Sequence, residues 1–222
     1  MSNKLTFNRQ HNISEYDKLV SASPQGTIFS ESFFLKLIKK KYHLWNVKQG
    51  TEIKAVICII VSNDEKNIIE EDRIVYSGIM FNIENQRLPT KRRSDEFQIT
   101  NFVIENLVTK YKKMNFQLSP FFLDLRPFQW FNYSKKTKRK FSLHTRYTSF
   151  INFEGNDLNN FENSNVYKNM ETVRRYDYRQ ACKGNASLII NNQVKVFLDF
   201  YKKLMLKQKV KIPKKEIAHM ST

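Results

Sequence analysis

This chain is short of cysteine, glycine and proline, and it has far fewer acids than bases. Its two cysteines, Cys58 and Cys182, share no metal-ligand spacing and are too few for a disulfide framework. A reducing, cytoplasmic compartment is the expectation. Cys58 lies in an apolar run and reads as a small core residue, and Cys182 falls near a helix end. The four histidines, His11, His43, His144 and His219, follow no ligand pattern, so no metal is expected. Long apolar runs are missing too. The longest, Ala55 to Val61, is far below the ~20 residues a membrane-spanning helix needs. Met1-Ser2-Asn3-Lys4 opens without an apolar stretch, so no secretory leader is expected. No repeat with a period of 20–50 residues is visible.

What is present is a globular composition on a cationic background. Apolar residues make up 41% of the 222 and aromatics 14%, enough for a core and unlike a disordered chain. The length suits one large domain, or one domain and part of another. The 38 Lys and Arg outnumber the 21 Asp and Glu, leaving a formal charge of +17. Such charge concentrates anions: nucleic acid, phosphorylated sugars, CoA-like thioesters or anionic membrane surfaces. The richness in Lys, Asn and Ile, with only five glycines, equally fits a compositional bias that places lysine on solvated faces.

Local patterns predict an alternation of strands and helices. Lys4 to Phe7 reads as a short strand, and Ile13 to Ala22 as a helix broken by Pro24-Gln25-Gly26. Ser30 is expected to cap a second helix, with Glu31 in its first turn and Phe33, Phe34, Leu37 and Ile38 as its apolar stripe. Tyr42 to Lys48 and Ile53 to Ser62 form a hairpin pattern about Gln49-Gly50-Thr51, and Arg73 to Phe81 reads as a third strand. Ser94 begins the clearest helix, striped by Ile99, Phe102, Val103, Leu107, Val108 and Tyr111 and closed by Lys110, Lys112 and Lys113. Extended pieces are expected at Phe116 to Leu118, Phe121 to Leu125 and Thr145 to Phe153. After an Asn-rich connector, a helix over Val166 to Lys183 ends at Gly184. A strand at Ser187 to Ile190 and an amphipathic helix from Val194 to Met205 follow. Mixed elements with an antiparallel hairpin favour an α+β fold.

The densest passage is Phe121-Phe122-Leu123-Asp124-Leu125-Arg126-Pro127-Phe128-Gln129-Trp130-Phe131-Asn132-Tyr133. Its first five residues suit a buried strand, which Pro127 stops while biasing Arg126 toward an extended backbone. A carboxylate in a buried strand needs a partner, and Arg126 is the nearest. Two readings of Asp124 and Arg126 stand side by side: an ion pair that fixes the strand end, or charge placed to meet a ligand.

Three passages resemble FemAB-like proteins. They are Gly26-Thr27-Ile28-Phe29-Ser30 before the Phe33-Phe34 helix, Asp124-Leu125-Arg126-Pro127-Phe128 through Asn132-Tyr133, and Arg146-Tyr147-Thr148-Ser149-Phe150-Ile151 followed by Arg174 to Gly184. The resemblance implies twin GNAT-type acyl-CoA N-acyltransferase domains that attach amino acids or other acyl groups to amines of cell-envelope sugar or peptide precursors. The implied fold is a mixed, largely antiparallel sheet flanked by helices, followed by an incomplete second unit of the same kind. It places a first domain at 1–153, a connector at 154–165, the start of a second, truncated domain at 166–206 and a basic tail at 207–222. The donor would be acyl-CoA or an aminoacyl-tRNA, making tRNA a candidate partner, and the acceptor an anionic small molecule or envelope precursor. Arg126 and Trp130, with Asp124, would line an acceptor cleft between the domains, and Tyr133 and Tyr147 would add hydrogen bonds there.

The chain departs from that pattern in two ways. The second unit stops before the strands that would build its cleft, so the chain is expected to be incomplete or inactive. The acyl-CoA pyrophosphate loop of such enzymes has its nearest match at Gln180-Ala181-Cys182-Lys183-Gly184-Asn185-Ala186. That match has one residue too many before the glycine and falls at a helix end that exposes carbonyls rather than N–H groups. No cofactor is therefore assigned within this segment. Arg175, Arg179 and Lys183 share one helical face beside Tyr178, where like charges repel by a few tenths of a kcal/mol unless an anion intervenes. A solvated face tempered by Glu171 and Asp177 is the plainer reading of the same residues. Two rival functions remain: a basic nucleic-acid-binding module using Lys91-Arg92-Arg93 and Lys135 to Lys140, and a non-catalytic partner of a full-length homologue.

Overall fold

Residues of the apolar run around Cys58 form the axis of the first of two units, Met1–Thr148; the other unit is Ser149–Thr222. The computed structural model describes residues 4–82, 88–155, 160–187, 193–213, 217–218 and 220. The first unit contains β1 (Leu5–Arg9), α1 (Ile13–Ala22), α2 (Ser32–Leu37), β2 (Tyr42–Gln49), β3 (Glu52–Ile60), β4 (Asn67–Ile68), β5 (Gly78–Phe81), α3 (Pro89–Lys110), β6 (Lys113–Met114) and α4 (Arg126–Trp130). Four strands form an antiparallel sheet in the order β1-β2-β3-β5, and β4 pairs with β6 in parallel. The fold class is α+β, as the alternation of elements predicts.

β3 lies between two cores, which is why its sequence is an almost unbroken apolar run. Ala55, Ile57 and Ile59 point to one face, where α3 packs Ile99, Val103, Ile104 and Leu107. Val56, Cys58 and Ile60 point to the other, against Tyr16 and Val20 of α1 and Leu35 of α2. The sheet is thus a middle layer with helices on both sides. The β2–β3 turn has two residues, and Gly50 takes its positive φ of 62° without a Cβ penalty. Val47 pairs with Ala55 but Lys48 with Ile53, so Lys54 is the extra residue of a bulge.

Several elements depart from the sequence expectations, each for a tertiary reason. α3 begins five residues before Ser94, with Pro89 in its first turn, so Ser94 caps nothing. Ser30 does not cap α2 either. Asp17 of α1 does, accepting from the Ser32 amide at 2.9 Å and the Ser32 hydroxyl at 2.6 Å. α2 is six residues long and buries Leu35, with Ile38 buried just past its end, leaving Phe33 and Leu37 exposed. The strand expected over Arg73 to Phe81 is confined to β5, because Ile74 is in a turn closed on Glu71.

Phe121 to Leu125 is not a buried strand. Phe122 turns into the core while Phe121 and Leu123 stay exposed, and Arg126 is the first residue of α4 rather than an extended residue. Thr145 to Phe153 forms no strand and is exposed throughout. Phe116 to Leu118 lies outside the named strands, although Gln117 accepts a hydrogen bond from the Ser77 amide at 2.7 Å. Gly78, at φ 108°, permits that approach: a Cβ there would lie 2.7 Å from the Leu118 side chain.

The second unit contains α5 (Asn165–Lys168), α6 (Thr172–Lys183) and α7 (Val194–Lys207). The helix expected over Val166 to Lys183 is two helices, interrupted where Asn169 caps one and Glu171 precedes the other. Gly184 follows α6 as expected, with its amide bonded to the Gln180 carbonyl at 2.9 Å. Phe161, Tyr167 and Tyr178 cluster with ring centroids 5.2 to 5.9 Å apart. Among the described residues of this unit only Ser164 and Leu198 are buried. Most of the strand expected at Ser187 to Ile190 lies outside the described residues.

Candidate functional site

α4 is positioned by two buried phenylalanines on either side of a surface ion pair. Ser119 closes a turn with the Phe122 amide at 2.8 Å, which drives Phe122 into the core to stack on Phe81 at 5.5 Å. Phe128 enters the same core against Phe116 and Phe141. Burying each ring is worth about 1.5–3 kcal/mol, so the intervening residues have little freedom to move. Asp124 and Arg126 are displayed on the bridge between these anchors.

Asp124 holds Arg126 by two edges. Its Oδ1 accepts from the Arg126 amide at 3.1 Å and from Nε at 2.8 Å, and its Oδ2 accepts from Nη2 at 2.6 Å. This is a bidentate fork, the strong geometry of an arginine–carboxylate pair. The Asp124 side chain is 12% exposed and that of Arg126 51%. Hydrogen bonding to Arg126 holds the Asp124 carboxyl below the usual carboxylate range, and the charge of Arg93 adds to this. The guanidinium lies 5.2 Å from the Phe97 ring centroid and 5.7 Å from that of Trp130, and those two rings meet edge-on at 5.8 Å. Asp124 engages Nε and one hydrogen of Nη2, which leaves the two Nη1 hydrogens and the second Nη2 hydrogen able to meet a ligand.

α3 presents further charge beside this cluster. Its first turns carry Lys91, Arg92 and Arg93, of which Arg92 is paired with the buried Glu96 at 2.9 Å. A rigid arginine framed by aromatic rings is suited to an anionic group attached to a planar or apolar body.

The other candidate residues are distributed more widely. Trp130 joins Asp124 and Arg126. Tyr133, just past α4, is exposed and engaged with Lys140, whose ammonium donates to the Tyr133 carbonyl at 2.9 Å and lies 5.8 Å from its ring. Tyr147 is 95% exposed in the extended stretch. Arg175, Arg179 and Lys183 belong to α6 of the second unit, where all three are exposed or half-exposed and Arg175 makes a long 3.4 Å contact to the Thr172 hydroxyl. Arg174 pairs with Asp177 at 3.4 Å.

Sequence reasoning missed Phe97, which a helix starting at Ser94 leaves in a fraying first turn. It also missed a chain of three polar side chains at the other end of α3. His43 Nδ1 accepts from the Tyr111 hydroxyl at 2.6 Å while its Nε2 donates to Glu65 Oε2 at 3.1 Å, a single tautomer that satisfies both. Lys41 holds the second Glu65 oxygen at 2.8 Å. Burial and the Arg9 charge lower the His43 pKa, against a smaller opposing effect of Glu65. No spacing rule connects residues 43, 65 and 111, so only the fold could reveal this chain.

Among the described residues no group of three His, Cys, Asp or Glu side chains is placed to hold a metal ion, and no helix is long and apolar enough to cross a membrane. The chain matches no protein-family model, no curated protein and no solved structure.

Proposed function

We propose that the chain is a FemAB-like, GNAT-type acyltransferase unit, acting in the cytoplasm on an amine of an envelope sugar or peptide precursor. The observation that carries this reading is the Arg126 guanidinium, locked by Asp124 and framed by Phe97 and Trp130. Such an arginine is organised before any ligand arrives, so little rotamer entropy is lost on binding. The four-stranded antiparallel sheet with helices on both faces is compatible with the α+β class that the resemblance implies. Transfer from an acyl thioester or aminoacyl-tRNA depends largely on holding the amine and the acyl carbon in reacting geometry. In this reading Arg126 holds an anionic group of the precursor, Trp130 covers its apolar body, and Asp124 is a positioning residue.

The test is a calorimetric titration with an amine-bearing sugar-nucleotide precursor, repeated with a single-stranded RNA of mixed sequence. The precursor is expected to bind in preference to RNA, and Arg126→Ala to weaken it about 10- to 100-fold, the range for losing a charge-assisted hydrogen bond. Unchanged precursor binding by Arg126→Ala would remove the basis of the proposal. RNA binding that exceeds precursor binding and falls steeply with salt would favour the nucleic-acid module instead.

A further inference from the structure

α2 turns outward an apolar surface that neither core covers. Leu35 and Ile38 are buried beneath it, but Phe33 and Leu37, one turn apart, are 49% and 64% exposed. Ile28, in the single helical turn before α2, is 51% exposed. The patch is backed by a continuous row of edge-on rings. Tyr76 meets Phe29 at 6.3 Å, Phe29 meets Phe34 at 5.4 Å, and Phe34 meets Phe33 at 6.4 Å. It is therefore a rigid feature of the layer rather than a frayed end.

Lysines surround it. Lys36 lies on α2 between Phe33 and Leu37, and Lys39 and Lys40 follow its C-terminus. Lys18 of α1 and Lys36 both line an open groove of about 890 Å³, together with Asp17, whose carboxylate is engaged by Ser32. Among the described residues, Lys40 alone of the four is in an ion pair, with Glu71 at 3.6 Å. The groove shares no residue with the Asp124 cluster.

The chemistry of the patch selects its occupant. Leu37 and Ile28 have no π face on which a base could stack, and none of these residues is an arginine that could grip a phosphate by two edges. Exposed Phe, Leu and Ile ringed by lysine point charges suit the boundary between acyl chains and acidic headgroups. We propose that the α2 face docks on an anionic lipid bilayer, with Phe33, Leu37 and Ile28 entering the interface and Lys18, Lys36 and Lys39 meeting the headgroups. This does not depend on the transfer reaction.

Vesicle flotation tests it, using phosphatidylcholine alone and phosphatidylcholine mixed with phosphatidylglycerol. The chain should float with the mixed vesicles and be released by salt. Each of Lys36→Gln and Lys39→Gln should weaken partitioning about fivefold, the equivalent of ~1 kcal/mol per lysine. The Phe33→Ser, Leu37→Ser double variant should lose at least about tenfold. Phe33→Trp should keep binding and shift its emission to the blue on mixed vesicles, which gives a readout that does not depend on the polar variants folding. Wild-type protein that fails to float, or a double variant that floats like wild type, overturns the proposal. So does a wild-type dimer that the double variant dissociates, which would assign the face to a second copy of the chain.

Discussion

Gln25 is the residue whose removal tests the fold most sharply, because a side chain in a predicted break joins three separate parts of the first unit. It is 3% exposed. Its Oε1 accepts from the Phe81 amide at 3.2 Å and the Ser23 hydroxyl at 3.0 Å, and its Nε2 donates to the Phe121 carbonyl at 3.0 Å. The neighbouring Asn82 amide donates to Lys54 on β3, so by strand alternation the Phe81 amide faces away from β3 and toward Gln25. Gln25→Ala leaves a buried amide without its acceptor, at ~1–3 kcal/mol, and removes two further bonds at about 0.5–1.5 kcal/mol each. The sum is about 2–6 kcal/mol, centred near 4, a fall in Tm of roughly 12 °C at that centre for a unit of this size. Differential scanning calorimetry reads that loss, and hydrogen exchange should show the Phe81 amide losing protection. Phe121 lies three residues before Asp124, so the Arg126 cluster should loosen with it. A destabilisation below about 0.5 kcal/mol, with Phe81 still protected, would refute the reasoning.

Other outcomes follow from the polar clusters and the thiols. Because the folded state lowers the His43 pKa, the unfolded chain binds the proton more readily. The contribution of His43 is therefore complete above its ordinary value of about 6.5 and is lost as pH falls through the depressed folded value. Urea unfolding between pH 8 and pH 5 should show this slope, and His43→Gln should flatten it. Arg126→Ala should return the Asp124 carboxyl toward its ordinary value of about 3.9, followed by carbon-detected NMR titration, and an unmoved titration would contradict the fork. Burial pushes the Cys58 thiol up to about 12 whereas Cys182 is exposed, so a thiol reagent at neutral pH should label Cys182 alone until the protein is unfolded.

Much of the frame was legible because its signals are local. α1 spans the residues its periodicity and the Pro24-Gln25-Gly26 break define, and the β2–β3 hairpin turns at Gly50. α7 begins at Val194, where its apolar spacing begins. The apolar run of Ile53 to Ser62 marked a strand, and β3 lies there with helices packed on both of its faces. Asp124 and Arg126 could be paired from their two-residue separation alone.

Where local rules compete, the fold decides. Phe121 to Leu125 is apolar enough for a strand, yet with the Ser119 turn and the Gln25 tether only Phe122 is fully buried, Leu125 packs partly against the core, and Phe121 and Leu123 stay exposed. Ser30 and Ser94 were reasonable caps by type. The actual cap of α2 comes from Asp17 on another helix, and α3 extends past Ser94 to Pro89. Phe97 beneath Arg126, and Tyr111 and Glu65 on either side of His43, are joined across distances no sequence period spans. The amino-acid order by itself determined the periodicity, the turn chemistry and the excess positive charge. Only packing determined which apolar residues were left outside and which polar groups met, because both depend on contacts between segments far apart in the chain.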